Sequence, residues 1–287
     1  MTERADSSRS DLIPGDTLGP YRIEAVAGKG GTGTVFRALR ESDGVTVALK
    51  VLHDDLYSDE TYRRRFAREV RAASEVDHTH LVPVIDVGEV DGYSYIATPF
   101  FAAGSLALRL RSERVLPIAE AVRVATCVAA GLDALHQCGL VHRDVKPSNV
   151  VLGEDGTPYL TDFGLAKGRD YTILTESSAP SGTPHYLAPE LIEGENATPA
   201  SDLYALGCTV FECFTGAPPY QGRSLLEIGM AHLSQTPPDP CALRPEIPAA
   251  LGWATLRALE KDPAERPPTA LAYATMLNIA ARPRPAD

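Results

Sequence analysis

The spacing of apolar and polar positions changes character along the chain. Through residues 12–100 it favours strands. Tyr21-Arg22-Ile23-Glu24-Ala25-Val26 alternates, a glycine cluster intervenes, and Thr34-Val35-Phe36-Arg37-Ala38 alternates again. That pattern predicts a hairpin with a glycine-rich connection. Val45–Leu52 predicts a third strand, and Val82–Val87 and Tyr93–Thr98 two more. Residues 58–76 have helical spacing instead, with Tyr62, Phe66, Val70 and Ala73 recurring at threes and fours and arginines between them. From about residue 105 helical spacing takes over. Ile118–Gln137 predicts a long amphipathic helix, with Pro117 near its start and Gly139 just past its end. Further helices are expected near 200–214, 224–234, 249–260 and 268–280. Residues 168–190, rich in Ser, Thr, Pro and Gly, predict a long loop, and loops of that length inside compact domains are usually functional.

These elements imply a small sheet-rich unit over residues 12–98, a connector over 99–104 and a larger helical unit over 105–280. A polar leader (1–11) and a short tail (281–287) flank them. A cleft between two such units is a common place for a ligand.

Composition narrows the class. The chain has 287 residues, 44% apolar and 23% charged, ordinary values for a globular protein. Its formal charge of −11 argues against a nucleic-acid partner, because phosphates would be repelled over most of the surface. Five cysteines form an odd set without metal-type spacing. Cys127, Cys208 and Cys213 fall on apolar helical patterns and read as buried, reduced thiols, which favours a cytoplasmic location. No run of 18 apolar residues predicts a membrane span, and the first eleven residues lack the apolar core of a secretory signal.

The candidate chemistry centres on His142-Arg143-Asp144-Val145-Lys146-Pro147-Ser148-Asn149, held between apolar Leu140-Val141 and Val150-Val151-Leu152. Asp144 is a carboxylate placed to accept a proton, and Asn149 offers a side-chain carbonyl to a hard metal ion. Thirteen residues past Asn149 comes Asp162-Phe163-Gly164. Upstream, Gly28-Lys29-Gly30-Gly31-Thr32-Gly33-Thr34-Val35 is a glycine-rich loop of the kind whose amides approach phosphate oxygens. A strand follows it, where a dinucleotide-binding turn would need a helix. Val47-Ala48-Leu49-Lys50 ends a strand with one lysine on an apolar run. Glu69 on the predicted helix is its preferred partner, and Glu75 and Glu60 are alternatives.

With Ala188-Pro189-Glu190, these motifs occur in the order of the eukaryotic-like (Hanks-type) protein kinases, and the chain resembles the bacterial Ser/Thr members from about Tyr21 to Met276. The resemblance implies a two-lobed α+β kinase fold, with a small antiparallel-sheet N-lobe carrying one helix and a larger helical C-lobe. It implies ATP and Mg²⁺ (or Mn²⁺) as cofactors and protein Ser/Thr hydroxyls as acceptors. Asp144 matches the aspartate that receives or orients the acceptor proton, and Asn149 and Asp162 match the metal ligands. Lys146 matches the lysine that Ser/Thr-specific members place near the γ-phosphate. Lys50, paired with Glu69, would hold the α- and β-phosphates. Gly28, Gly30, Gly31 and Gly33 would cover the phosphates, and Val26, Val35, Ala48 and Val151 would line the adenine pocket. Thr98 matches the gatekeeper, and Phe101 would offer its backbone N–H and C=O to the base. Many relatives carry an acidic ribose ligand where this chain has Ser105. Thr183 would belong to the substrate-docking loop, Glu190 would pair with Arg266, and Asp202 would hold the catalytic loop. Arg143 implies activation by a loop phosphate, with Thr175, Ser177 and Ser178 as candidate acceptors and Arg65 as a second cation. A basic helix face over Arg63–Arg71 would alternatively serve a partner, consistent with family members that form homodimers through the N-lobe. The competing functions are a nucleotide-binding pseudokinase and a small-molecule phosphotransferase. Filled catalytic positions speak against the first, and the 182–190 segment against the second.

Overall fold

The structure is a computed structural model, and it describes residues 12–30, 33–52, 70–162 and 184–282. The chain divides into two compact units, the first formed by residues up to 55 and 84–100, the second by 56–83 and 101–287.

The first unit is an antiparallel sheet. Its strands are β1 (Thr17–Leu18), β2 (Tyr21–Gly30), β3 (Gly33–Arg40), β4 (Val45–Leu52), β5 (Asp86–Val90) and β6 (Tyr93–Pro99), in the order β1-β2-β3-β4-β6-β5. Alternation sorts the faces, as a pleated strand requires. Ile23, Phe36, Ala38, Val47, Leu49, Tyr95 and Ala97 form one buried layer. The β2–β3 hairpin carries two register shifts, between Ile23 and Ala25 and between Val26 and Gly28. Such bulges bend the glycine-rich end of the ribbon.

The strand expected over Val82–Val87 begins later, at Asp86. Pro83 lacks the N–H that a ladder needs. Leu81 and Val82 instead join the second unit, where Leu81 bridges Leu160 and the Val82 N–H donates to the Leu160 carbonyl at 2.9 Å. Within the predicted 58–76 helix, residues 70–74 are helical (α1), with Val70 and Ala73 buried.

The second unit is built on α3 (Ile118–Gln137), which has the predicted bounds. Pro117 stands at its N-cap, and Gly139 takes a left-handed φ of 72° just beyond its end. α5 (Pro199–Thr215) is nearly all buried, opens with a Thr198–Ser201 capping box and closes on left-handed Gly216. α9 (Ala270–Ala280) packs on α3. Asp133 of α3 accepts from the Ala270 and Leu271 N–H groups at 3.1 and 3.3 Å, satisfying donors that a helix start leaves open. α2 (Leu106–Glu113), α4 (Pro189–Ile192), α6 (Leu225–Ser234), α7 (Pro240–Leu243) and α8 (Ala249–Arg257) complete the set, with a short β7–β8 ribbon (Val150–Leu152, Pro158–Leu160). The long loop predicted to reach residue 190 gives way earlier, to a single turn at Pro184–Tyr186 and then to α4.

Cys127, Cys208 and Cys213 are buried, Cys138 is exposed and all five thiols are free. Among the described residues no helix is long and apolar enough to cross a membrane.

Candidate active site

Residues 142–149 leave the end of α3 and return through a single turn at Pro147–Asn149 into β7. Within this loop the Asp144 carboxylate has two side-chain partners. Lys146 Nζ and Asn149 Nδ2 each lie 2.8 Å from Asp144 Oδ2. The same Asn149 nitrogen donates to the Asp144 main-chain carbonyl at 2.7 Å. With the amide nitrogen so engaged, Asn149 Oδ1, which accepts from the Ser148 hydroxyl at 3.4 Å, is the side-chain oxygen available to a cation. Thr161 N–H donates to the Asn149 carbonyl at 2.9 Å, which brings Asp162 beside the loop.

His142 is fully buried and fixes the loop from beneath. The Asp144 N–H donates to its Nδ1 at 3.2 Å, so Nε2 carries the ring hydrogen and donates to the Thr161 carbonyl at 2.9 Å. Burial lowers the His142 pKa, which favours the neutral ring these bonds require. Arg143 (φ 69°) and Asp162 (φ 65°) both adopt left-handed backbone. That region costs a non-glycine residue roughly 1–2 kcal/mol and persists where surrounding contacts over-determine it. At Arg143 those contacts come from Asp202. Its Oδ2 accepts from the His142 N–H at 2.7 Å and its Oδ1 from the Arg143 N–H at 2.8 Å.

Sequence reasoning missed two residues here. His136 Nε2 lies 2.8 Å from Asp202 Oδ2. It read as an ordinary position of an amphipathic helix, and its one signal was a polar ring in the last turn. Glu212 accepts a 2.5 Å hydrogen bond from the Tyr186 hydroxyl. Burial raises the pKa of both groups.

The segment leading to α4 is anchored by Glu190. Arg266 Nη1 and Nη2 donate to its two carboxylate oxygens at 2.7 and 2.8 Å, and both residues are buried. Arg266 also donates to the carbonyls of Ala200, Glu260 and Lys261, and its guanidinium lies 4.9 Å from the Tyr204 ring centroid.

In the first unit, strand register pairs Val35 with Lys50, Lys50 with Ile96 and Ala48 with Thr98. Val35, Ala48, Lys50 and Thr98 therefore share one sheet face, opposite the layer of Phe36, Leu49 and Ala97. Val26 lies between the two register shifts and is 45% exposed. A Cβ on Gly33 would meet the Val51 carbonyl oxygen at 2.3 Å, so only glycine fits there. A Cβ on Gly28 would meet nothing within 4 Å, and one on Gly30 only the Gly33 carbonyl at 3.7 Å. The fold itself does not demand those two glycines.

In the second unit, the Phe101 carbonyl accepts from the Gly104 N–H at 3.1 Å, and the Phe101 ring packs 5.1 Å from that of Tyr159. Val151 bridges Ser105, whose hydroxyl accepts from the Leu108 N–H as the N-cap of α2. Gly31, Glu69, Thr175, Ser177, Ser178, Thr183 and Arg65 lie outside the described residues. Of the alternatives to Glu69, Glu75 is exposed and Glu60 is likewise outside.

The protein kinase domain model matches residues 21–272. Serine/threonine-protein kinase PknE of Mycobacterium tuberculosis is 39% identical over 252 residues, 88% of this chain and 44% of that protein. PknH of the same organism is 36% identical over 260 residues, 91% of this chain and 42% of that protein. The chain thus spans less than half the length of these relatives. The crystal structure of the M. tuberculosis PknI kinase domain superposes with a TM-score of 0.75 at 34% identity, covering 95% of this chain and all of that one. The matched family, the relatives and the fold agree, and the chain belongs to the protein kinase family, among the Hanks-type bacterial serine/threonine kinase catalytic domains.

Proposed function

We propose that this chain transfers the γ-phosphate of ATP to serine and threonine hydroxyls of proteins, with Asp144 as the group that takes the acceptor proton. The carrying observation is the Asp144–Lys146–Asn149 constellation, with both side-chain nitrogens 2.8 Å from one carboxylate oxygen. Phosphoryl transfer leaves a protein mainly positioning and charge neutralisation to perform. The acceptor hydroxyl gives its proton to the Asp144 carboxylate as the new P–O bond forms and the bond from the γ-phosphorus to the bridging oxygen breaks, with ADP leaving. Lys146 follows the migrating negative charge from carboxylate to phosphoryl group.

The donor set suits Mg²⁺ or Mn²⁺. Asn149 Oδ1 and the Asp162 carboxylate offer oxygen alone, and Mg²⁺ typically takes one or two carboxylates plus phosphate oxygens and water. When bound, the metal neutralises the phosphate oxygens and orients the γ-phosphate. In the first unit, Val35, Ala48 and Thr98 share a face with Lys50, a surface that suits an adenine nucleotide. Gly28 and Gly30 have their reason in phosphate approach.

Activation follows from a phosphate on Thr175, Ser177 or Ser178, received by Arg143. Phosphosite mapping after incubation with Mg-ATP should find modification between residues 168 and 182, and its absence there would remove this regulatory reading. For catalysis the test is Asp144→Asn. It should abolish labelling of a generic protein substrate and leave nucleotide binding within about threefold, as expected for a group that acts on the transition state. A wild-type chain that binds nucleotide and labels nothing would instead be a pseudokinase.

A further inference from the structure

We propose that Lys261 is a positioning residue for the acceptor-docking segment, joining the contacts that hold its two ends at His185 and Glu190. The inference rests on the kinase reading of the chain, in which the stretch ending at Glu190 receives the acceptor, and it adds a residue outside that stretch.

The observation is a closed circuit of hydrogen bonds around residues 185–190. At one end, the His185 Nδ1–H donates to the Tyr220 carbonyl at 2.9 Å. At the other, the Arg266 fork holds both carboxylate oxygens of Glu190. Lys261 meets both anchors. Its Nζ donates to the Tyr220 hydroxyl at 2.8 Å, and its carbonyl accepts from Arg266 Nη2 at 3.0 Å. The ammonium also lies 4.5 Å from the Tyr220 ring centroid. Tyr186, between the two ends, is fixed separately on Glu212 of α5.

The circuit has a footing on α6. Lys261 Nζ donates to the His232 carbonyl at 2.6 Å, and the Tyr220 hydroxyl gives its own hydrogen to the Gln235 carbonyl at 2.7 Å. His232 belongs to the last turn of α6, where a helix leaves carbonyls without internal partners and favours a cation. The same nitrogen thus caps α6 and orients Tyr220, the residue that receives His185.

Stability alone does not select this arrangement. Desolvation lowers the Lys261 pKa to about 8 from 10.5, so at neutral pH the fold carries the charge at a cost. A methionine would fill the space without that cost. Proteins keep such locally unfavourable choices where a site needs a fixed geometry.

The test compares Lys261→Met, Tyr220→Phe and the double variant in the full chain at neutral pH, with dephosphorylated casein as acceptor. Tyr220→Phe removes the hydroxyl and keeps the carbonyl that His185 needs. In Lys261→Met the KM for casein should rise about fivefold or more, with KM for ATP and kcat within about twofold. A loss of folded protein would lower the apparent kcat alone, so a merely structural role predicts a different pattern. Tyr220→Phe should reproduce part of the rise, and the double variant should be no worse than Lys261→Met, because the two residues act as one link. Amide exchange over residues 184–192 should quicken in Lys261→Met while that of α3 stays as in wild type. A casein KM within about twofold of wild type, additive effects of the two substitutions, or unchanged exchange over 184–192 each overturn the proposal. The exchange readout needs no catalysis, so it decides this question even if wild-type protein transfers no phosphate, an outcome that would instead sink the reading of Asp144.

Discussion

Asn149 turns its amide nitrogen towards Asp144, 2.8 Å from the carboxylate and 2.7 Å from the main-chain carbonyl of the same residue. The metal-facing oxygen and the proton acceptor are thus set by one rotamer. Asn149→Asp exchanges that donor for a second carboxylate against the first. The new carboxylate cannot donate to Asp144 and repels it. We expect kcat to fall at least about tenfold. Steady-state rates in saturating Mg-ATP check this, and a wild-type kcat would contradict it.

The Glu190–Arg266 pair should behave as a structural contact. Removing one partner leaves a buried charge uncompensated, at a cost of about 3–5 kcal/mol. Arg266→Met should therefore destabilise more than Glu190→Gln, because the arginine also serves three main-chain carbonyls. Arg266→Lys should not restore stability, since an ammonium cannot reproduce the fork. Denaturant unfolding of the single and double variants measures the coupling.

Gly33 and Gly28 should separate stability from nucleotide affinity. Gly33→Ala drives a methyl group into the Val51 carbonyl and should cost roughly 1–3 kcal/mol. Gly28→Ala meets open space and should leave stability nearly unchanged while raising KM for ATP. Thermal unfolding paired with ATP titration distinguishes the two, and equal destabilisation would remove the argument from phosphate approach.

His232 predicts an acid limit to stability. It is buried, with Nδ1 2.8 Å from the Tyr204 hydroxyl and no hydrogen-bond partner on Nε2 among the described residues, and burial pulls its pKa down to about 3 from an ordinary value of 6.5. The folded chain thus binds fewer protons than the unfolded chain between those two values. Stability should fall as pH drops from about 6.5 towards 3, by at most about 1.4 kcal/mol per pH unit from this group. His232→Asn should flatten that slope in denaturant melts at pH 7 and pH 5. An unchanged slope would mean that another group sets it.

Lys261 carries a second window, on the alkaline side, with the same sign. Desolvation lowers its pKa to about 8 from 10.5, while Nζ donates to the Tyr220 hydroxyl and the His232 carbonyl at 2.8 and 2.6 Å. Between those two pKa values the unfolded chain holds the proton that the folded chain has released. Stability attributable to this group should rise from about pH 8 to 10.5 and be absent from Lys261→Met. Matched melts at pH 8 and pH 9.5 read it directly.

What was legible in the sequence follows from range. Ile118–Gln137 was visible because one helix states its own period over twenty residues. The Val45–Leu52 strand was visible as a short apolar run rich in β-branched residues, interrupted by one lysine. The fifth strand was misplaced because apolar spacing ran across Pro83, whose missing N–H outranks the pattern. Contacts between distant residues were legible only where a family motif named both ends, as for Glu190 and Arg266. Tyr186 with Glu212 and His136 with Asp202 span 26 and 66 residues and leave no local trace. The orientation of the Asn149 amide is likewise a property of the folded loop.

The buried thiols give the second unit an internal reporter of its own opening. Cys208 and Cys213 of α5 are fully buried, Cys127 of α3 is 9% exposed, and burial raises the pKa of all three. Cys138 is exposed, and Cys241 is only partly covered. A thiol-reactive dye should therefore label Cys138 at once and Cys241 next. The remaining three should react only as fast as the helices that cover them separate. The slow labelling rate then measures how often the helical unit opens, with and without nucleotide, on the unmodified sequence.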